Sequence, residues 1–256
     1  MKKLKKFLIS FATVLLSSVV FPVACYAEGK LNVNLDGNNM QTVEIVIMLT
    51  LIALIPTILI MMSSFTRIII VLSFLRNALG LQQTPPNQVL IGIALFLSLF
   101  IMSPVITEIN KTAYEPYQKE QITQEQFLEK AQVPLKKFML KQTKKEEINL
   151  FVKLSKTEIV KDNNVDKLSN EELLQKLPMT VVTPAFIISE LKRAFMIGFL
   201  IFIPFLIIDM IVSSTLMSMG MIMLPPVMIS LPFKLLLFVL VDGWSLLIKT
   251  LALSFN

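Results

Sequence analysis

Apolar residues gather in long runs at both ends of this chain, and one polar block lies between them. Ile45 to Met62 is an 18-residue stretch without charge, enough for a transmembrane helix. Pro56 sits in its middle and predicts a kink. The apolar pattern does not stop at Met62. Ile68 to Leu75 continue it between Arg67 and Arg76, and Gly80 provides a C-terminal cap. A helix from Val43 to Leu79 would be ~55 Å long at ~1.5 Å per residue, against a hydrocarbon core of ~30 Å. It must therefore project, bend or lie against another subunit. Gln82 to Asn87 read as a turn, in which Pro85 and Pro86 stop one helix and open the next with Thr84 as its cap. Val89 to Thr107 gives a second uncharged run of 19 residues. Residues 43–107 form a first helical hairpin with segments near 43–64 and 87–107.

Residues 108–183 differ in kind, carrying 13 lysines and 12 acidic residues. Apolar positions recur there at helical spacing, as in Leu135, Phe138 and Met139. Thr123 to Gln126 and Ser169 to Glu172 read as capping boxes, and Pro178 ends the last short helix. This block is a small, solvated helical insert on the periplasmic side. From 184 to 256 the chain is apolar again. Gly220, Pro225, Pro226 and Pro232 interrupt it, and one straight helix does not pass such breakers. A second hairpin is expected, with segments near 185–212 and 231–254 and a tip at 216–226. The fold class is all-α: a multi-pass helical membrane protein of two long broken hairpins with a small helical insert.

Composition agrees. Hydrophobic residues make up 54% of the 256, charged residues only 16%, and the mean hydropathy is +0.70; a soluble domain is about a quarter charged. The start of the chain changes the charge balance. Lys2, Lys3, Lys5 and Lys6, an apolar stretch from Phe7 to Ala24 and small residues at Cys25 and Ala27 make a secretory signal peptide over 1–27, cut between Ala27 and Glu28. A short polar segment, 28–42, follows. The leader's four lysines reduce the net charge from +6 to +2 when removed, so no basic nucleic-acid footprint remains. There is no histidine, and Cys25 is the one cysteine. Ser-His and Cys-His catalysis are excluded, and no disulfide, metal or cofactor is expected. A cleaved leader puts Glu28 outside and Arg67 and Arg76 inside, as the positive-inside rule prefers. Lys192 and Arg193 then fall near the outer face, against that rule, so these are not ordinary lipid-facing spans.

Charges inside apolar segments are costly and default to functional hypotheses. Here they are Arg67, Arg76, Glu190, Lys192, Arg193, Asp209, Lys234 and Asp242. Arg67 and Arg76, nine apart, lie on opposite faces of a helix; either each snorkels to an interface or one contacts a neighbouring subunit. Glu190 and Arg193, at i and i+3, suit a local pair. Asp209 lies ~24 Å beyond Arg193 on a straight helix and needs a partner from another segment, another chain or water. Asp209 and Asp242 suit a structural inter-subunit contact better than a proton relay. Met217, Met219, Met221 and Met223 alternate around Gly220, just before Pro225 and Pro226. They read either as apolar filler or as a pliable collar that keeps ions out by dewetting.

Three stretches carry a family resemblance. They are Phe65 to Val71 with Leu75 to Gly80, Pro85 to Leu90 and Phe100 to Val105; Pro184 to Phe186 with Ser189 to Lys192 and Ile203 to Asp209; and Gly220 to Pro226 with Leu231 to Lys234 and Val239 to Trp244. In these the chain resembles the FliP family of flagellar biosynthetic proteins and its virulence type III secretion relatives, over nearly all of 45–250. Phe138 to Thr143 in the insert match the family too. The resemblance implies a non-enzymatic subunit of the inner-membrane export gate in the flagellar basal body. It implies a ring of about five copies, assembled with FliQ, FliR and other membrane proteins of the export apparatus, that passes unfolded rod, hook and filament proteins. It places a gasket on Met221, Ile222 and Met223, flanked by Met217, Met219, Gly220, Pro225 and Pro226. Relatives usually carry three methionines in that gasket, so Ile222, stiffer at χ1, is a departure; Met196 is another. The rival readings are a virulence export gate, a secondary transporter with broken helices around a midplane site, and an intramembrane aspartyl enzyme using Asp209 and Asp242.

Overall fold

The structure, a computed structural model, describes residues 39–155, 169–221 and 223–255. The expected leader, its cut between Ala27 and Glu28, and Ile222 of the expected gasket lie outside the described residues. The chain forms two units, Met1–Ala53 and Leu54–Asn256. Among the described residues all regular structure is helical, as expected. Helix α1, Asn39–Met61, begins in the first unit and ends in the second. All that follows lies in the second.

The expected long first helix does not run through. It stops at Met62–Ser64, not at Pro56, which stays inside α1. Serine side chains cause the break. The Ser63 hydroxyl donates to the Ile60 carbonyl at 2.7 Å and accepts from the Phe65 amide at 3.2 Å, offering the backbone an alternative to the helical ladder. Ser64, fully buried, donates to Ser98 at 3.0 Å, which fixes the break against the next helix. Helix α2, Phe65–Ala78, then buries Ile68, Val71, Leu72, Leu75 and Ala78 on one face, the 3–4 spacing of an amphipathic helix. It ends as expected at Gly80, where φ is +78° and the Leu81 amide reaches back to the Arg76 carbonyl at 3.2 Å.

Helix α3, Asn87–Ile109, starts behind Pro86 and not behind a Thr84 cap. Arg76 holds this turn instead, donating to the Asn87 side chain at 2.5 Å and the Pro85 carbonyl at 3.3 Å. Through a π-helical turn at Asn110–Tyr114 and the short α4, Glu115–Gln118, the rod continues to a length of 32 residues, past the expected end near 107. Its buried stripe is Leu90, Ala94, Ser98, Met102 and Val105. The small Ala94 and Ser98 let α2 approach closely, and the remaining faces stay apolar and exposed.

The insert comprises α5, Gln124–Gln142, α6, Lys145–Leu154, and α7, Asn170–Lys176. Both expected capping boxes are formed, Thr123 with Gln126 and Ser169 with Glu172. Helix α8, Met179–Ser218, begins before the expected boundary at 184, and its first turns close the insert's core. Met139, Leu140, Ile148, Val152, Leu173, Val182 and Phe186 meet there. At 40 residues, α8 is ~60 Å long, twice the ~30 Å hydrocarbon thickness. Gly198 lets α2 and α8 touch: a Cβ on it would lie 2.5 Å from the Phe74 ring.

The second hairpin turns at Gly220, φ +74°, with the Met221 amide bonded to the Leu216 carbonyl at 3.0 Å. Helix α9, Pro226–Leu240, starts five residues before the expected segment and carries Pro232 inside it. The break falls instead at Asp242, which adopts left-handed φ 49° and ψ 53° ahead of α10, Gly243–Leu253. α9 and α10 meet at 63°. Gly243 makes that corner fit, because a Cβ there would lie 2.2 Å from Phe238. The main core gathers Ile68, Leu72, Leu75, Leu90, Ala194, Phe205, Phe238, Leu247, Leu251 and Phe255 from α2, α3, α8, α9, α10 and the chain after it.

Candidate functional site: a buried charge hub and a methionine tip

Two features stand out where the helices meet. The first is built on Arg67. It sits on the buried face of α2 between apolar neighbours, so its guanidinium points into the protein. Its Nε donates to Glu190 Oε2 at 2.6 Å and its Nη2 to Oε1 at 2.5 Å. This is the two-pronged fork that an arginine and a carboxylate form best. Both side chains are 0% exposed. Burying two charges is expensive unless the remaining donors are also met, and here they are. Nη1 donates to the Ser254 carbonyl at 2.9 Å and to its hydroxyl at 2.8 Å, and Nη2 reaches the Gln142 side chain at 3.2 Å. The Phe255 ring lies 3.7 Å from the guanidinium carbon, a cation–π contact. Gln142 also accepts from Arg193 at 3.1 Å and donates to the Phe255 carbonyl at 2.7 Å. One residue of α2 thus ties together α8, the end of the insert's α5 and the end of α10, which corrects the expected topology: Arg67 lies at the level of the insert and not across a membrane from it.

The local Glu190–Arg193 pair is replaced by these longer connections. Arg67 finds all its partners inside this chain, while Arg76 clasps the turn before α3. Lys192, largely exposed, meets the buried Glu147 of α6 at 2.5 Å. Asp209 has its partner from another segment: Lys234 on α9 at 2.6 Å, together with the Ser230 hydroxyl at 2.5 Å. Asp242 is exposed and serves the corner through its backbone, while Asp209 is taken up by Lys234 and Ser230. In the insert, Lys136 donates to the Leu174 carbonyl, and burial holds its ammonium below the usual lysine range.

The second feature is the tip between α8 and α9. Met217, Met219, Met221 and Met223 are all exposed, Met223 at 98%. Gly220 turns the chain, exposed Pro225 leads out of the tip, and half-buried Pro226 opens α9. Both ends of each pair around Arg67 and Asp209 stand out in the sequence as charges within apolar runs, whereas Gln142, Ser230, Ser254 and Phe255, which complete them, do not. Gln142 had a signal, lying in the insert stretch that resembles the family; the serines had none. Among the described residues no three His, Cys, Asp or Glu side chains could hold a metal ion.

Two helices, Asn87–Gln118 and Met179–Ser218, are long and apolar enough to cross a membrane, and two broken pairs raise the count to as many as four. Fold and site together define an all-helical membrane protein in which buried Arg67 and Lys234 are paired with Glu190 and Asp209 of the same chain and the second hairpin ends in an exposed methionine tip. The FliP family model matches residues 48–251. The chain belongs to the FliP family. The "Flagellar biosynthetic protein FliP" of Bacillus subtilis (strain 168) is 54% identical over 85% of this chain and 94% of its own length. That of Aquifex aeolicus (strain VF5) is 46% identical over 95% and 98% respectively. That of Buchnera aphidicola subsp. Acyrthosiphon pisum (strain APS) is 52% identical over 86% of this chain, which spans 56% of that longer protein.

Proposed function

We propose that this chain is a pore-forming core subunit of the flagellar type III export gate, passing unfolded rod, hook and filament proteins across the inner membrane without catalysis of its own. The observation that carries the reading is the exposed tip: four methionines at the apex of a hairpin in a family member, Met223 among them at 98% exposure. Unbranched thioether side chains re-pack around objects of varied shape, and an apolar constriction excludes ions by dewetting. In this reading Met221, Ile222 and Met223 form the gasket, and a ring of about five copies with FliQ and FliR surrounds it in the basal body. The exposed apolar flanks of α3, α8 and α9 then face sister copies, FliQ, FliR and lipid. Arg67, Glu190, Arg193, Asp209 and Lys234 keep each copy's helices in register. Arg76, Lys192 and Asp242, nearer the surface, are the charges available to neighbours.

The test replaces Met221, Ile222 and Met223 with glycine. Cells carrying the variant should become leaky to small ions while the complex still assembles. Unchanged conductance in an assembled complex refutes the gasket. A chromosomal deletion scored for filaments and secreted hook protein, with complementation, separates the flagellar role from a virulence export role.

A further inference from the structure

Arg67 pairs with Glu190 and Asp209 with Lys234 inside this chain, but two charges of opposite sign in the second hairpin are left over. Arg193 is half-buried and spends one donor on Gln142 at 3.1 Å. It has no carboxylate partner among the described residues. Asp242 is exposed, and its carboxylate neither caps α10 nor meets a cation among the described residues. A half-buried guanidinium on an apolar face is costly once that face is covered, unless a carboxylate takes its remaining donors.

Each of the two stands at the end of an uncovered apolar seam. On α8, Arg193 leads into Met196, Leu200, Ile203 and Ile207. On α9, Ile229, Phe233, Leu236 and Leu240 lead towards Asp242. All eight apolar side chains are exposed, and their spacing alternates three and four residues, the pattern along which two helices interlock. A surface that met only lipid would need no such spacing. Laid antiparallel, the two seams fit in one register: Met196 opposite Leu240, Leu200 opposite Leu236, Ile203 opposite Phe233 and Ile207 opposite Ile229. The apolar residues alone set that register, and it brings Arg193 to Gly243, beside Asp242. Within one chain the seams do not meet this way, because the Asp209–Lys234 pair at 2.6 Å holds α8 and α9 about two turns, ~10 Å, away from it.

We propose that the α8 seam of one copy packs against the α9 seam of a second copy, with Arg193 and Asp242 joined across the contact. The proposal deepens the ring of the export-gate reading and rests on it. Copies related by rotation about an axis along these helices all point α8 one way and α9 the other, so α8 of one copy meets α9 of the next antiparallel. Such a contact is heterologous, and a heterologous contact whose rotation closes makes a ring. Arg193, and not the exposed Lys249 of α10, is the cation for Asp242, because Arg193 loses its water when the seam is covered and its planar fork matches a carboxylate.

Two differently tagged full-length copies, co-expressed in a Cys25→Ser background, test it. The first carries Leu200→Cys and the second Leu236→Cys. Mild oxidation of the membranes should give a disulfide-linked dimer bearing both tags. Ile229→Cys in the second copy, seven residues out of register and ~10 Å away, should give none, and Leu200→Cys should not link to itself. Arg193→Glu in the first copy should lower the yield of mixed dimer about tenfold or more, by setting two carboxylates face to face. Asp242→Asn in the second copy keeps a residue that tolerates the left-handed backbone and should restore most of that yield. Lys249→Glu should leave it unchanged. No mixed dimer, a dimer of Leu200→Cys with itself, or the same loss from Arg193→Glu whether or not Asp242→Asn is present each overturns the proposal. Ring-sized complexes without the mixed dimer overturn this seam alone, whereas a chain that stays monomeric takes the ring reading with it.

Discussion

Removing Glu190 should damage this protein more than removing any exposed charge. In Glu190→Met, the Arg67 guanidinium keeps its place beneath 0% exposure but loses both prongs of the fork, Nε at 2.6 Å and Nη2 at 2.5 Å. Its bonds to Ser254 and the weaker one to Gln142 survive. Two charge-assisted hydrogen bonds at ~1.5–3 kcal/mol each agree with the ~3–5 kcal/mol usual for breaking a buried pair from one side. That is a factor of roughly 10² to 10⁴ in the folded-to-unfolded ratio. Arg67→Met should cost a comparable amount, because it strands the Glu190 carboxylate. The double variant should recover most of the loss, since two apolar side chains of similar volume leave no charge unpaired; Gln142 still has Arg193, and the Ser254 carbonyl is the acceptor left behind. The assay is thermal loss of the monodisperse peak of the detergent-purified chain for wild type, both singles and the double. Single losses that simply add in the double variant, or a Glu190→Met protein as heat-resistant as wild type, would refute the argument.

Three further outcomes are expected. Gly198→Ala should destabilise by ~1–3 kcal/mol through overpacking, because its new methyl meets Phe74 at 2.5–2.9 Å; adding Phe74→Leu should restore much of the melting temperature, and no rescue would mean that the clash is not the cause. Thr123→Ala should lose about 1 kcal/mol of capping, seen as faster amide exchange in the first turns of α5 with α8 unaffected. Asp209→Ala should loosen α9 from α8 by stranding the buried Lys234, so that less assembled complex is recovered; assembly at wild-type level with export lost would instead assign Asp209 to energy coupling.

Local signals were legible in the sequence wherever the physics is local. The capping boxes at Thr123 and Ser169 formed because both partners sit within four residues, and the turns at Gly80 and Gly220 formed because a positive φ excludes most other residues. The breaks read from proline were less reliable. Pro56, where a kink was expected, and Pro232, read as a breaker, both stay within helices, whereas the chain bends at Ser63 and Asp242, where a hydroxyl captures backbone groups and a left-handed residue precedes a glycine. Proline removes one donor from a ladder that neighbouring turns still hold; it does not supply an alternative partner, and Ser63 does.

The charges show the same division. That Arg67, Glu190, Asp209 and Lys234 interrupt apolar runs was plain from the sequence, and their cost in an oily setting demanded partners. Which partner each took was not, because Arg67 and Glu190 are 123 residues apart and only packing brings them together. The rule of neighbours at i and i+3 pointed Glu190 to Arg193, yet an exposed i,i+3 pair is worth a few tenths of a kcal/mol, whereas leaving Arg67 unmet would cost several. The carboxylate therefore goes to the cation that has no access to water, and Arg193 takes Gln142 instead. In a chain of this kind, the order of desolvation predicts pairing better than the order of sequence.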